Sequence, residues 1–263
     1  MRVLHNLLLS EFKKLKRKKI IFFAVLSAFV FPVLGSALVV ESSSTNFTDM
    51  ISFVHEGSGF LLLMPLLVIL AANLFFSEQD NDTLKNLLCI PVSKEQLVLV
   101  KLLVLLIFSV IFQIVGFVVN AGISVLYHIP LTNFNLQFVL TAATGILLWA
   151  AALPCVVLVI WFNKSYILSV IIVFFYTLLN YAMHFSDAIL MQPLGLNAGT
   201  LMPIPMIFRW LYQFYTPTGE IQTAFYNRFS LYFASTTACF AVLLIEAAVC
   251  SFLMIRVYRR REI

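Results

Sequence analysis

Charge is scarce in this chain. Asp, Glu, Lys and Arg make up 11% of its 263 residues, where a soluble domain carries about 25%. That shortage argues against a soluble enzyme, a disordered chain and a nucleic-acid-binding domain, so no nucleic acid is expected as a partner. Histidine is scarce too. His5, His55, His128 and His184 are scattered near the ends of apolar runs, and no H-E-x-x-H pairs them, so a metalloprotease centre is not expected. None of the nine glycines precedes a lysine, so the phosphate loop G-x-x-x-x-G-K-[ST] is missing. No nucleophile, base and orienting group can be assembled. No catalytic residue and no metal site is therefore assigned. Cys89, Cys155, Cys239 and Cys250 all fall on inner or intramembrane stretches of the map below. They read as small apolar filler rather than as a disulfide framework.

What is abundant is apolar surface. Hydrophobic residues make up 62% of the chain, with 26 phenylalanines, far beyond what one water-soluble core of this size holds. Apolar runs cover 20–40, 59–76, 97–127, 136–162, 166–185 and 231–257. Each is long enough, or nearly so, for the roughly 20 residues that cross a bilayer. The reading is an all-α polytopic membrane protein: one transmembrane domain over 1–263 with six transmembrane helices. The third and fourth runs exceed the lipid thickness and are expected to tilt or project.

The few charges orient it. Fifteen of the 17 Lys and Arg residues lie in the first 19 residues, around 85–101, at Lys164 and in the tail; only Arg209 and Arg228 lie on the other side. By the positive-inside rule both termini are cytoplasmic. Gly35-Ser36-Ala37 has the small residues of a signal-peptidase site, but the charged stretch before the first run is too long for a signal peptide, so that run is read as a retained helix. Within 1–19, Leu4, Leu7, Leu8, Phe12 and Leu15 recur at spacings of three and four. This pattern predicts an interfacial helix with its apolar side down and its lysines near anionic headgroups.

The most informative stretch is 78–101. Asp80, Asn81 or Asp82 can cap a short helix. Leu84, Leu87 and Leu88 share one face of it, and Pro91 ends it. Ser93 and Gln96 form a capping-box spacing that starts the third span. The result is a short amphipathic helix on the cytoplasmic side, stiffly joined to two membrane helices. It is either an ordinary capped loop or a lever for a soluble partner. Here the chain resembles the ABC-2 type exporter permeases, which carry a glutamate, Gly-Thr, a Leu-Leu pair, a Pro, a Ser-Arg and a later Lys in this place. The matching residues are Glu78, Thr83, Leu87-Leu88, Pro91, Ser93-Lys94 and Lys101. Asp82 stands where many members have Gly, and Lys94 where many have Arg. The interfacial helix is similar to the family's connecting helix, and 187–230 to its outer re-entrant hairpin.

The resemblance implies a job. Two permeases, identical or a pair of siblings, would bind two copies of a cytoplasmic ABC ATPase, which holds ATP and Mg; this chain would hold no cofactor itself. Residues 78–95 would be the coupling loop, with Glu78, Asp82, Thr83, Leu84, Leu87, Leu88 and Pro91 at the contact. The short form of the chain resembles the subunits of the bacterial plasma membrane that give lantibiotic immunity or bacitracin resistance by expelling an amphipathic peptide. Export of a lipid, polysaccharide, drug or sodium is open within the same family.

Three further features carry expectations. Glu246 sits near the middle of the sixth run, where a charge costs about 2.5–3.5 kcal/mol. It is either a buried carboxyl bonded within the bundle, to Gln113, Asn120 or Asn180, or a substrate contact. A proton-coupled secondary transporter using Glu246 is the alternative reading of the whole chain. Residues 187–230 are too apolar for a simple loop, and Pro193, Pro203, Pro205 and Pro217 break them into pieces too short to span. An outer hairpin follows, with Trp210, Tyr212 and Phe214 as candidates to line a lateral mouth or to plug the outer face. The first outer loop, with Glu41, Asp49 and Glu56, either attracts a cationic peptide or is simply solvated.

Overall fold

The computed structural model describes residues 2–16, 18–40, 46–80, 93–162, 166–217 and 219–260. Among them the regular structure is helical throughout. Helix α1 (Arg2–Lys16) leads to α2 (Lys19–Val40). Helix α3 (Phe47–Phe53) continues through a π-helical segment (Val54–Leu63) into α4 (Met64–Asp80). Three helices follow: α5 (Lys94–Leu126), α6 (Phe134–Phe162) and α7 (Tyr166–Met183). The short pieces α8 (Asp187–Leu190), α9 (Ala198–Leu201), α10 (Pro203–Leu211) and α11 (Gly219–Phe229) precede the final helix, α12 (Thr236–Arg260).

Five stretches are long and apolar enough to cross a membrane: 21–38, 47–76, 94–126, 134–162 and 236–259. The fifth expected span is the shorter apolar helix α7, with 18 residues, roughly 27 Å long. Helix α5 has 33 residues, roughly 50 Å, so it outreaches the hydrocarbon layer as its long apolar run predicts. Phe23, Phe175 and Phe252 point outward from α2, α7 and α12, a pattern that suits lipid rather than water. These features define a multi-pass helical membrane protein.

Local chemistry sets the helix ends. Ser93 caps α5, its Oγ accepting from Gln96 N at 3.2 Å while Gln96 Oε1 accepts from Ser93 N at 3.2 Å, as the Ser-x-x-Gln spacing predicts. Asn46 and Asp49 cap α3 in the same reciprocal way. This corrects the reading of the first outer loop. Asp49 is a cap and Glu56 lies in the π-helical segment, so neither is on a solvated loop; Glu41 lies outside the described residues.

Small residues set the distances between helices. A Cβ on Gly145 of α6 would stand 2.9 Å from Val110 Cα of α5, and Ser109 Oγ donates to Gly145 O at 2.6 Å. Close backbone approach and a hydroxyl bridge are how helices associate in lipid. Asn120 ties three elements together: Ser36 Oγ donates to its Oδ1 at 2.6 Å, and its Nδ2 donates to Met50 O at 2.6 Å.

The helices gather chain segments at two ends. One end holds α1, the C-terminal part of α4, the start of α5 and the tail of α12. The other holds α3, the end of α5, the start of α6 and the hairpin 187–230. The apolar stripe of α1, expected to face lipid, packs partly on protein: Leu7 and Leu15 are buried, with Leu8 and Phe12 against the same core. The hairpin is pieces of 4, 4, 9 and 11 residues, each too short to span. All nine residues of α10 are buried. Arg209 pins it, Nε donating to Tyr232 O at 2.8 Å and an Nη to Gly199 O at 3.4 Å.

Candidate functional site

Two polar centres stand out, one at each end. At the first, Glu11 of α1 and Lys101 of α5 are both fully buried and face each other at 3.9 Å. Lys14 reaches the same carboxylate at 2.5 Å. Lys101 also donates to the carbonyl of Leu74 on α4 and lies 5.0 Å over the Phe75 ring. Phe75 in turn meets Tyr258 of α12 edge-on at 5.8 Å. Arg259 of α12 pairs with Glu95 of α5. One lysine thus joins α1, α4 and α5, with α12 packed behind. Buried charges persist only when paired and hydrogen-bonded; Glu11 is hydrogen-bonded through Oε1 by Lys14 and Lys101 through the Leu74 carbonyl, while Glu11 Oε2 faces Lys101 across 3.9 Å without a hydrogen bond.

This clasp flanks residues 81–92, which hold most of the contact expected with an ATPase. Helices α4 and α5 are their two attachments, and Lys101 joins them. Of the residues expected at the coupling contact, Asp82, Thr83, Leu84, Leu87, Leu88 and Pro91 lie outside the described residues, and Glu78 falls in the last turns of α4. Sequence reasoning missed Glu11. The signal was there: Leu7, Glu11 and Leu15 are four apart, so a carboxylate lies on the buried stripe.

The second centre surrounds the π-helical segment, which carries His55, Glu56, Gly57, Ser58 and Gly59. π-Helical turns are rare and concentrate at functional sites. The two glycines leave room for tight packing: a Cβ on Gly59 would stand 2.6 Å from Gln113 Nε2 and 3.0 Å from Leu148 Cδ1. His55 is fully buried. Its Nε2 lies 2.9 Å from Thr141 Oγ1, and Thr141 Oγ1 donates to Gln137 O at 2.8 Å. Because that hydroxyl has one proton, His55 Nε2 is the donor and Nδ1 is left as an acceptor. Tyr215 Oη stands 3.4 Å from Nδ1 and lies within electrostatic reach of Glu56. Burial, with the Glu56 charge beside it, pushes the Tyr215 phenol well above its usual pKa, so it stays protonated. Gln113 is fully buried, and neither its Nε2 nor its Oε1 finds a partner.

The residues expected to line an outer path are placed as follows. Trp210 is buried, donating from Nε1 to Thr236 Oγ1 at 3.0 Å and meeting Phe214 and Phe240 edge-on. Tyr212 and Phe214 are half-buried. Tyr212 touches Phe208, Phe225 and Phe229. Glu246 is half-buried on α12, within electrostatic reach of Tyr176 and Cys250. Of the polar residues weighed as its partners, Asn120 bonds Ser36 and Met50 and Asn180 Nδ2 donates to Tyr176 O at 3.1 Å, while no hydrogen bond joins the buried Gln113 to Glu246. No group of three or more metal-binding side chains occurs among the described residues.

The model for the ABC-2 family transporter protein matches residues 7–180, more than half of the chain. The chain therefore belongs to the ABC-2 transporter family. No curated protein matches it.

Proposed function

We propose that this chain is the membrane-spanning permease subunit of an ATP-driven exporter in a bacterial plasma membrane. It has six spans, with both termini in the cytoplasm. Two permeases, as a homodimer or with a sibling, sit over two copies of an ABC ATPase that binds ATP and Mg. The cargo is an amphipathic antimicrobial peptide of the bacitracin or lantibiotic type, and its expulsion gives resistance or immunity. Family membership supports the exporter class.

The observation that carries the coupling role is the clasp around Lys101. A force applied to 78–91 reaches α4 and α5 together, because Lys101 holds the Leu74 carbonyl of one helix while standing on the other. Glu11 draws α1 into the same unit. Both helices then move as one body, and the far end, where α3 and the hairpin meet, opens or closes. The greasy hairpin suits a substrate that leaves the membrane sideways. Arg and Lys concentrate at the clasp end, which the positive-inside rule assigns to the cytoplasm.

Affinity capture of tagged full-length chain from native membranes tests this. An ABC ATPase should co-purify with the wild type, and Leu87→Asp with Leu88→Asp should release it while the permease stays in the membrane. Cells lacking the chain should become sensitive to bacitracin or a lantibiotic. Retention of the ATPase by the double variant would sink the coupling assignment. Unchanged sensitivity to both peptides, with a changed lipid, polysaccharide, drug or sodium phenotype, would reassign the cargo.

A further inference from the structure

The outer polar centre has too many acceptors for its donors. Glu56 brings a carboxyl group, His55 offers Nδ1, and Tyr215, 3.4 Å from Nδ1 and within electrostatic reach of Glu56, has one proton. The cations at this end are spent elsewhere. Arg209 holds the Tyr232 and Gly199 carbonyls, and Arg228 pairs with Asp187 at 2.5 Å. Among the described residues no cationic side chain meets Glu56. Its side chain is half-buried.

The wall around it is aromatic. Tyr215 stacks on His55, their ring planes 4° apart and centroids 6.4 Å apart. Tyr212 meets Tyr215 at 5.4 Å and Phe208 at 5.1 Å. Phe208 meets His184 at 5.2 Å, and His184 meets both Tyr181 at 4.6 Å and Phe60 at 5.7 Å. Phe60 lies about one turn from Glu56 on the same segment, so this chain of rings returns to the carboxylate. Tyr181 and Tyr212 both lie within electrostatic reach of it.

We propose that Glu56, with His55, Tyr215 and the rings of Tyr181, Tyr212 and Phe208, forms a binding site for an organic ammonium group. An ammonium brings three donors, which is what the carboxylate, the imidazole nitrogen and the phenol oxygen lack. Aromatic faces attract the same cation. An amphipathic molecule would place its charge on Glu56 and its apolar part along the hairpin. Two sources share this chemistry: a lysine or N-terminus of an exported peptide, and the headgroup of phosphatidylethanolamine. The inference rests on the exporter reading for the first source.

The test uses the full-length chain in maltoside micelles, which carry no ammonium. The probe is a short amphipathic peptide bearing lysines, beside its lysine-acetylated twin, which has lost the charge. Titration calorimetry should show tighter binding of the charged peptide. Glu56→Gln should weaken that peptide about tenfold or more, the scale of a charge-assisted hydrogen bond, and leave the twin unchanged. Equal binding of the charged peptide by wild type and Glu56→Gln, or of both peptides by the wild type, would overturn the site. If Glu56→Gln loses the wild-type melting midpoint, Tyr212→Leu carries the test, since it removes a ring and keeps the carboxylate. Phosphatidylethanolamine added to the micelles identifies the source. Displacement of the peptide from wild type assigns the lipid headgroup, and no displacement assigns the peptide. The exporter reading fails separately, when resistance survives loss of the ATPase.

Discussion

Gly145 and Gly122 are both helical glycines in apolar surroundings, and they have opposite roles. A Cβ at Gly145 would press on backbone, Val110 Cα at 2.9 Å and Ser109 O at 3.3 Å, whereas a Cβ at Gly122 meets nothing within 4 Å. Backbone atoms cannot swing aside, so Gly145→Ala forces α5 and α6 apart and lengthens the Ser109 bond. The expected cost is about 1–3 kcal/mol, the range for overpacking, read as a lowered melting midpoint in micelles. Gly122→Ala should be neutral or should stabilise by up to about 1 kcal/mol, the difference in helix propensity. Gly59→Ala should fall between them, because its closest neighbour is the flexible amide of Gln113. Equal midpoints for Gly145→Ala and Gly122→Ala would refute this account of the packing. The sequence shows nine glycines and no way to rank them. Their roles depend on which helix lies opposite, which is a tertiary fact. The same limit hid His55, whose burial depends on Thr141 and Tyr215, far away in the chain.

At the scale of elements, the α1–α5 contact turns on one buried pair. Lys101→Met removes the buried one of the two cations that face Glu11, leaving Lys14, and the donor to the Leu74 carbonyl. Breaking a buried pair from one side typically costs about 3–5 kcal/mol when the remaining charge has no other partner, and Lys14, still on Glu11, keeps the expected loss at or below the lower end of that range. Combining Lys101→Met with Glu11→Leu removes both charges and should recover most of that loss. The two single variants and the double, followed by thermal unfolding, form the cycle that measures the coupling. A double variant as unstable as the sum of the singles would show that Glu11 and Lys101 do not act together. Much of this element was legible beforehand. The stripe of Leu7, Leu8, Phe12 and Leu15 predicted the helix, and Ser93 and Gln96 predicted the start of α5. What periodicity could not supply was the object the stripe packs against. Lipid and a neighbouring helix select the same apolar residues, and only the carboxylate at position 11 distinguished them.

At the scale of the molecule, the class was written in the composition, because few folds hold 62% hydrophobic residues. The number of crossings was less legible. Helix α7 is shorter than the five clear spans, and the stretch read as a first outer loop is partly helix. The proposed energy source is argued from where charge can do work. Glu246 is half-buried, within electrostatic reach of Tyr176 and Cys250, and among the described residues no hydrogen bond joins it to a second acid or histidine through which a proton relay would run. Lys101 instead ties α4 to α5, and under the proposed function that clasp makes one lever of the two helices that flank 81–92. Glu246→Gln is therefore expected to leave peptide resistance intact at normal expression. An ATPase partner unable to hydrolyse ATP should abolish it. Export from inverted vesicles, measured with labelled peptide, separates the two drives. Adding ATP should start uptake, and a protonophore should leave the initial rate within about twofold, since a factor of two is under 0.5 kcal/mol in a barrier. Uptake without ATP that collapses with the proton gradient and with Glu246→Gln would make this chain a secondary transporter, and the clasp would then be a structural joint alone.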